Sequence, residues 1–265
     1  KNSQKNLTRI INYAKKNNIL IFDTAPKYKN AEKILGNQKD KRIKIITKIS
    51  ETNKKNLKKN LIEKIVNSRK RLNVDKLYGL LIHDINFFRN QNSKVISEIL
   101  YDIKKKGIVK KIGFSVYSPN DVDYILKYIK PDIVQLPLSI FDRRFMISRK
   151  IKKLNTLGVE VHVRSIFMRG LLLSNINKIP DSLNKLKSQL VKLDKWCVSK
   201  KISRLQIAVN FIKSNKNIDA VVVGVDSVDQ LKKIILAFKN PLIKLPHNLN
   251  FKIQNKYLDI RKWKI

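Results

Sequence analysis

Seven short apolar runs, each followed by a longer stretch with helical periodicity, set the frame into which this chain can fold. They are Ile19–Asp23, Ile43–Lys48, Leu77–His83, Lys111–Ser115, Asp132–Leu136, Val159–Arg164 and Ala220–Gly224. Near-continuous apolar runs, rather than strict alternation, suit strands covered on both faces, and strand–helix alternation predicts a parallel sheet with right-handed crossovers. The helices carry legible starts. Ser118, Pro119 and Asp121 supply an N-cap, a first-turn proline and an acidic third position ahead of Val122, Ile125, Leu126 and Ile129. Ser227 and Gln230 have capping-box spacing ahead of Leu231, Ile234, Ile235 and Phe238, and Leu57, Leu61, Ile65 and Leu72 share one helix face.

Strand number decides between two architectures. A parallel barrel closes with eight strands, yet this chain opens on a helical pattern around Leu7, Ile10, Ile11 and Ala14 that ought to follow a strand. Either the first barrel strand lies outside this sequence, or the sheet is open and doubly wound. The second option usually brings a glycine-rich phosphate turn; with seven glycines and neither GxGxxG nor GxxxxGK[ST], the barrel is favoured. No linker composition divides residues 1–265, so one domain is expected, and the length suffices for a core without disulfides or structural metal. A lone Cys197 and three scattered histidines point to a reducing compartment and no zinc site. No run approaches the roughly 18 apolar residues that span a bilayer, and the first residues lack a signal-peptide core. A soluble, cytoplasmic protein without a membrane partner is expected.

The formal net charge of +38 raises nucleic acid as a partner. Yet the excess is carried by 46 Lys against 12 Arg, spread over nearly every segment, with Asn and Ile abundant beside it. That pattern suits compositional bias better than a dedicated basic stripe, so no specific nucleic-acid partner is expected. The field still draws anionic ligands.

In a parallel barrel, reactive groups gather at the carboxyl ends of the strands. Here those ends are polar: Asp23, Lys48, His83, Ser115, Gln135 and Arg164, with Gly224 at the seventh and Tyr28 five residues past Asp23. Each alone has an ordinary reading as a cap, a surface lysine, a packing tyrosine or a core histidine. Together Asp23, Tyr28, Lys48 and His83 form an acid–base constellation in which the lysine is expected to lower the phenol's pKa, so that the tyrosine can give a proton to a carbonyl oxygen.

The blocks FDTAPKYKNAEKILG (22–36), IITK (45–48), LLIHD (80–84), GIVKKIGFSVYSP (107–119), PDIVQLPLSIFDRR (131–144), VHVRSIFMRGLLL (161–173) and VVVGVDSVDQL (221–231) resemble the aldo-keto reductase family, in family order and spacing. The resemblance implies a (β/α)8 TIM barrel of aldo-keto reductase type, its first strand apparently missing from this chain. It also implies hydride exchange between NADP or NAD and a small aldehyde, ketone or alcohol. By that resemblance Tyr28 is the proton donor, Asp23 and Lys48 tune it, and His83 orients the carbonyl. Ser115 and Gln135 match the residues that hold the nicotinamide carboxamide; Ser165 and Phe167 line the middle of the cofactor; Gly224, Ser227 and Gln230 fall at its adenosine end. Arg164 takes the place of an aromatic that often stacks on the nicotinamide, where a planar guanidinium can stack instead.

Several positions depart from the family pattern. Lys29 replaces a glycine after Tyr28, Ala31 replaces a serine before Glu32, and Val116 replaces an asparagine after Ser115. Gly224 and Gln230 stand where many members carry basic side chains for a 2′-phosphate, which leaves NADP or NAD open, with Lys232 and Lys233 as possible compensation. These departures keep a second reading alive, a weakly active or inactive cofactor-binding or partner-binding subunit. A nucleic-acid-binding barrel, supported by charge alone, is the third. Without its first strand the barrel would leave edges on the first and seventh strands unpaired, and a truncated N-terminus is expected over a natural seven-stranded enzyme.

Overall fold

The computed structural model describes residues 4–38, 40–50, 56–245, 251 and 253–263. The seven apolar runs form seven parallel strands: β1 (Ile21–Asp23), β2 (Lys44–Ile49), β3 (Leu77–Ile82), β4 (Val109–Ser115), β5 (Ile133–Pro137), β6 (Glu160–Arg164) and β7 (Ala220–Val221). They pair strictly in chain order, β1 to β7. Before β1 stands α1 (Gln4–Lys16). The crossovers carry α2 (Ala31–Gly36), α3 (Leu57–Leu72), α4 (Ile85–Asn90), α5 (Ser93–Lys105), α6 (Pro119–Leu126), α7 (Arg144–Ile147) and α8 (Lys150–Thr156). Between β6 and β7 lie α9 (Asn184–Ser199) and α10 (Arg204–Lys213), and after β7 come α11 (Val228–Lys239) and α12 (Asn255–Leu258).

Two apolar layers explain why the runs read as nearly continuous. Outward-facing residues such as Ile45, Leu80, Ile112, Val134 and Val161 join the large core under the helices. Inward-facing Ile46, Leu81 and Ile133, from three different strands, touch one another across the concave side. The sheet therefore curls into the wall of an α/β barrel. Gly113 makes that curvature possible, because a Cβ at this position would run into the Ile133 carbonyl oxygen of the neighbouring strand.

Strand bounds differ from expectation chiefly at the two ends of the sheet. β1 is three residues and β7 two, against five predicted for each, since each has one neighbour and therefore one ladder. Among the described residues no ladder joins β1 to β7. A cavity of about 610 Å³ separates them, lined by Ile21, Phe22 and Asp23 on one side and Ala220 and Val221 on the other, under Ile10, Ala14 and Leu231. Ile21 is 41% exposed, as an open edge requires.

Helix signals held with two adjustments. Ser118 and Asp121 cap α6 as a reciprocal box, but the helix stops at Leu126, and Ile129 is buried from the following turn. Ser227 accepts the Gln230 backbone N–H (3.2 Å), whereas the Gln230 side chain reaches past it to accept the N–H of Asp226 (2.8 Å). Cys197 is buried in α9, and burial pushes its thiol up to about 11, which leaves it unreactive at neutral pH.

Candidate functional site

The carboxyl ends of β1, β2 and β3 bring three charged or titratable side chains to one place. Asp23 closes β1. Lys48 is the next-to-last residue of β2, and inward orientation buries its side chain to 2% exposure. Its ammonium donates to Asp23 Oδ1 and, more weakly, to the Thr24 carbonyl oxygen (3.3 Å). The second carboxylate oxygen of Asp23 accepts from Gln135 Nε2 of β5 (2.9 Å). Asp23 is thus pinned from two strands, and its charge faces the lysine.

His83 follows β3, held by its backbone N–H on the Ile49 carbonyl oxygen (2.7 Å). Tyr28 comes from the loop after β1. Its ring stands edge to face with His83, centroids 6.2 Å apart, and Lys48 Nζ lies 5.6 Å from its centroid. Tyr28 is 46% exposed, the most open member of the group. The loop that carries it passes through Lys29 at φ +50°, a left-handed conformation that glycine adopts without cost. The lysine at this departure from the family pattern therefore holds the turn against some strain.

Electrostatics at the site run partly against expectation. The Tyr28 phenol is held above its ordinary value, first by burial and then by the negative field of Asp23, while Arg164 pulls the other way. The expected lowering by Lys48 does not occur, because that ammonium is engaged by Asp23. Burial pulls Lys48 below its usual range, and the contact with Asp23 opposes this. His83 is pushed down to about 4 by burial and by the cations Lys48 and Lys27, so its imidazole is neutral at physiological pH.

The remaining predicted positions surround the same end of the barrel. Ser115 ends β4 and its hydroxyl has no hydrogen-bond partner among the described residues. Arg164 ends β6. Its Nη2 donates to the Val116 carbonyl oxygen (2.9 Å) and Nη1 reaches Ser165 Oγ (3.4 Å), while Nε is buried with no partner. Val116, the other departure beside Ser115, thus serves the site through its backbone. Arg164, Ser165, Phe167, Gly224 and Gln230 line one cavity of about 700 Å³ between the loop after β6 and the start of α11. That loop is tightly wound, with Ser165, Met168 and Arg169 at φ between +48° and +60°. Ser227 stands apart from that lining as the N-cap of α11, and Ser115 and Gln135 belong to the barrel mouth.

Two participants escaped the sequence reading, and a third, Glu32, entered it only as the neighbour of Ala31. The Tyr117 ring lies between two guanidinium groups, Arg164 Cζ at 4.0 Å and Arg261 Cζ at 3.5 Å from its centroid. Two cations so close to one centroid must occupy opposite faces. Tyr117 follows Ser115 closely enough to be suspected, but nothing local in the sequence announces Arg261. Glu32 is the third: it is buried, accepts from Thr47 Oγ1 (2.6 Å) and Arg71 Nε (2.7 Å), and so ties α2 to β2 and α3 behind the Tyr28 loop. Among the described residues no cluster of His, Cys, Asp or Glu is arranged to hold a metal ion, and no helix is long and apolar enough to cross a membrane.

A curled parallel sheet with polar side chains gathered at its carboxyl ends is the architecture of a TIM-barrel protein. The family model described as the aldo/keto reductase family matches residues 1–246, and the chain belongs to that family of oxidoreductases. Solved structures agree on the fold. The holo form of an aldo-keto reductase from Bacillus halodurans superposes with a TM-score of 0.76 at 20% identity, over 92% of this chain and 85% of that one. A glycerol dehydrogenase from Gluconobacter oxydans gives 0.71 at 18% identity, over 91% and 82%. No curated protein sequence matches the chain.

Proposed function

We propose that this protein reduces an aldehyde or ketone to an alcohol, or runs the reverse oxidation, with NADP or NAD as hydride carrier and Tyr28 as the proton-transferring group. The observation that carries the reading is the convergence of Asp23, Lys48, His83 and Tyr28 from three successive strand ends, with the phenol the most exposed of the four. A nicotinamide dinucleotide fits the residues present. The cavity beside Arg164 has the size of cofactor sites, Gly224 leaves open space where a side chain would stand, and the Ser115 hydroxyl makes no hydrogen bond among the described residues. Ser115 and Gln135 would hold the carboxamide end, Ser165 and Phe167 the middle, and Gly224, Ser227 and Gln230 the adenosine end. When bound, the dinucleotide supplies or accepts the hydride.

The chain's own residues do the rest. Neutral His83 offers an N–H to the carbonyl oxygen without bringing a charge. Tyr28, protonated at neutral pH as a phenol is, gives its proton to that oxygen as negative charge develops there. Lys48 is held behind the phenol as an ion pair with Asp23, which Gln135 holds in turn, and the field of Arg164, which pulls the phenol's pKa down, favours the phenolate that remains. Without Asp23 the buried ammonium would lose its counter-charge and tend to deprotonate.

Tyr28→Phe tests the assignment. Turnover on a panel of small aldehydes, followed at the reduced-nicotinamide absorbance band, is expected to fall by roughly 10²–10⁴-fold, while cofactor affinity measured by fluorescence titration stays within a small factor. Equal turnover by parent and variant would remove Tyr28 from the chemistry.

A further inference from the structure

A cavity of about 470 Å³ lies between the elements that follow β3, β4 and β5 and the C-terminal segment 255–262. Neither Tyr28 nor His83 lines it, and the positions expected at the adenosine end, Gly224, Ser227 and Gln230, follow β7 instead. The lining carries Arg89, Arg144, Lys256, Arg261 and Lys262 against Asp121 and Asp259. Chance in a lysine-rich chain explains the two lysines. It does not explain why three of only 12 Arg share one cavity. Both carboxylates are already committed. Asp121 accepts the backbone N–H groups of Tyr117 (3.0 Å) and Ser118 (2.8 Å) and Nη2 of Arg89 (2.9 Å). Asp259 holds the Arg261 fork at 2.8–2.9 Å, and Asp142, outside the lining, holds that of Arg144 at 2.7–2.8 Å. Each arginine still has its Nη1 without a hydrogen bond among the described residues, and Lys256 and Lys262 make no ion pair there. The Nη1 atoms of Arg89 and Arg144 stay accessible, and the Arg261 side chain is 42% exposed.

We infer that this cavity is an effector site for a small, multiply charged oxyanion, a compound with two or more phosphate or carboxylate groups, which on binding joins the C-terminal segment to the barrel. Gathering five cations around two committed carboxylates costs Coulomb energy that added negative charge relieves. Guanidinium groups suit paired oxygens, and the volume lies in the range of small-molecule sites. Lys256, Arg261 and Lys262 belong to the C-terminal segment, whereas Arg89 and Arg144 stand on α4 and α7, so one bound anion bridges the two. The bridge reaches the barrel mouth through Tyr117, which lines the cavity and carries Arg261 on one face and Arg164 on the other. The inference goes beyond the carbonyl-reductase reading and does not depend on it.

Calorimetric titration of the full chain with pyrophosphate, citrate and inorganic phosphate tests the site. Because a chain of this net charge attracts any anion, the titrations are run in about 0.3 M NaCl, where the Debye length shrinks to about 6 Å and close contacts outlast the general field. One saturable site is expected for pyrophosphate or citrate, and the tighter of the two tells phosphate from carboxylate. Inorganic phosphate, which reaches fewer of the cations, should bind roughly tenfold more weakly or worse. Lys256→Gln/Lys262→Gln removes two exposed cations of the C-terminal segment and should weaken binding roughly tenfold or more. Arg89→Gln, on the barrel side, should do the same. Lys185→Gln/Lys195→Gln makes an equal change of charge on exposed positions of α9 and should stay within about a factor of two. No saturable binding at this salt, an equal loss in the α9 variant, or a loss confined to one side of the cavity overturns the inference. Competition by ADP-ribose assigns the anion to the dinucleotide cavity and overturns it as well. Should Arg89→Gln fail to fold, Arg144→Gln takes its place. Only binding is read, so the outcome is separate from that of the Tyr28→Phe turnover assay.

Discussion

Replacing Lys48 by Met removes the cation from the most deeply buried ion pair of the site. The side chains of Lys48 and Asp23 are 2% and 11% exposed, so water cannot readily replace the lost partner. Asp23 would keep only the Gln135 amide at 2.9 Å. Truncating one member of a buried pair typically costs about 3–5 kcal/mol; the slight opening at Asp23 favours the lower end, about 3 kcal/mol, or a fall in Tm of roughly 6–12 °C. Asp23→Asn should cost somewhat less, since the stranded Lys48 can shed its proton. Burial already pulls the ammonium down, and without the carboxylate the opposing pull is gone. The double variant carries no buried charge at this pair, so its loss should fall short of the summed single losses by about 2 kcal/mol or more. Urea denaturation of the four proteins, with two spectroscopic probes to check for a single transition, measures that coupling. A coupling below about 0.5 kcal/mol would show that the pair is not the energetic unit described here.

Two further perturbations reach other parts of the structure. His83, held down at about 4, should show no titration by NMR between about pH 5.5 and 8; because the unfolded chain takes up that proton near pH 6.5 and the folded one refuses it, this residue's contribution to stability is full above about 6.5 and declines as the pH falls toward 4. An imidazole titrating near 6.5 in the folded protein would contradict the burial and cation field assigned to it. Gly113→Ala sets a methyl group against the Ile133 carbonyl oxygen and should cost about 3 kcal/mol by chemical denaturation, whereas Gly158→Ala, at φ +69° with no atom near, should cost about 1 kcal/mol through backbone strain alone; similar losses at both would refute the close-approach argument.

The amino-acid sequence by itself determined the order of strands and helices, their parallel sense, and the polar character of the strand ends, because these follow from local periodicity and from the two-sided burial that a parallel sheet demands. Their strand-end positions joined Tyr28, Lys48, Asp23 and His83 into one group, and the family blocks added a role for each. Only the tertiary structure decided what those groups do to one another. Whether a lysine lowers a phenol's pKa depends on where its charge is already engaged, and Asp23 is closer to Lys48 than any pattern of spacing could reveal. The same holds for Arg164: its residue type was legible, but that no carboxylate among the described residues pairs with it, that its Nε is buried without a partner, and that it shares the Tyr117 ring with Arg261 arise from segments far apart in the chain. Pairwise electrostatics and desolvation vary over a few ångströms, a scale that one-dimensional periodicity does not encode.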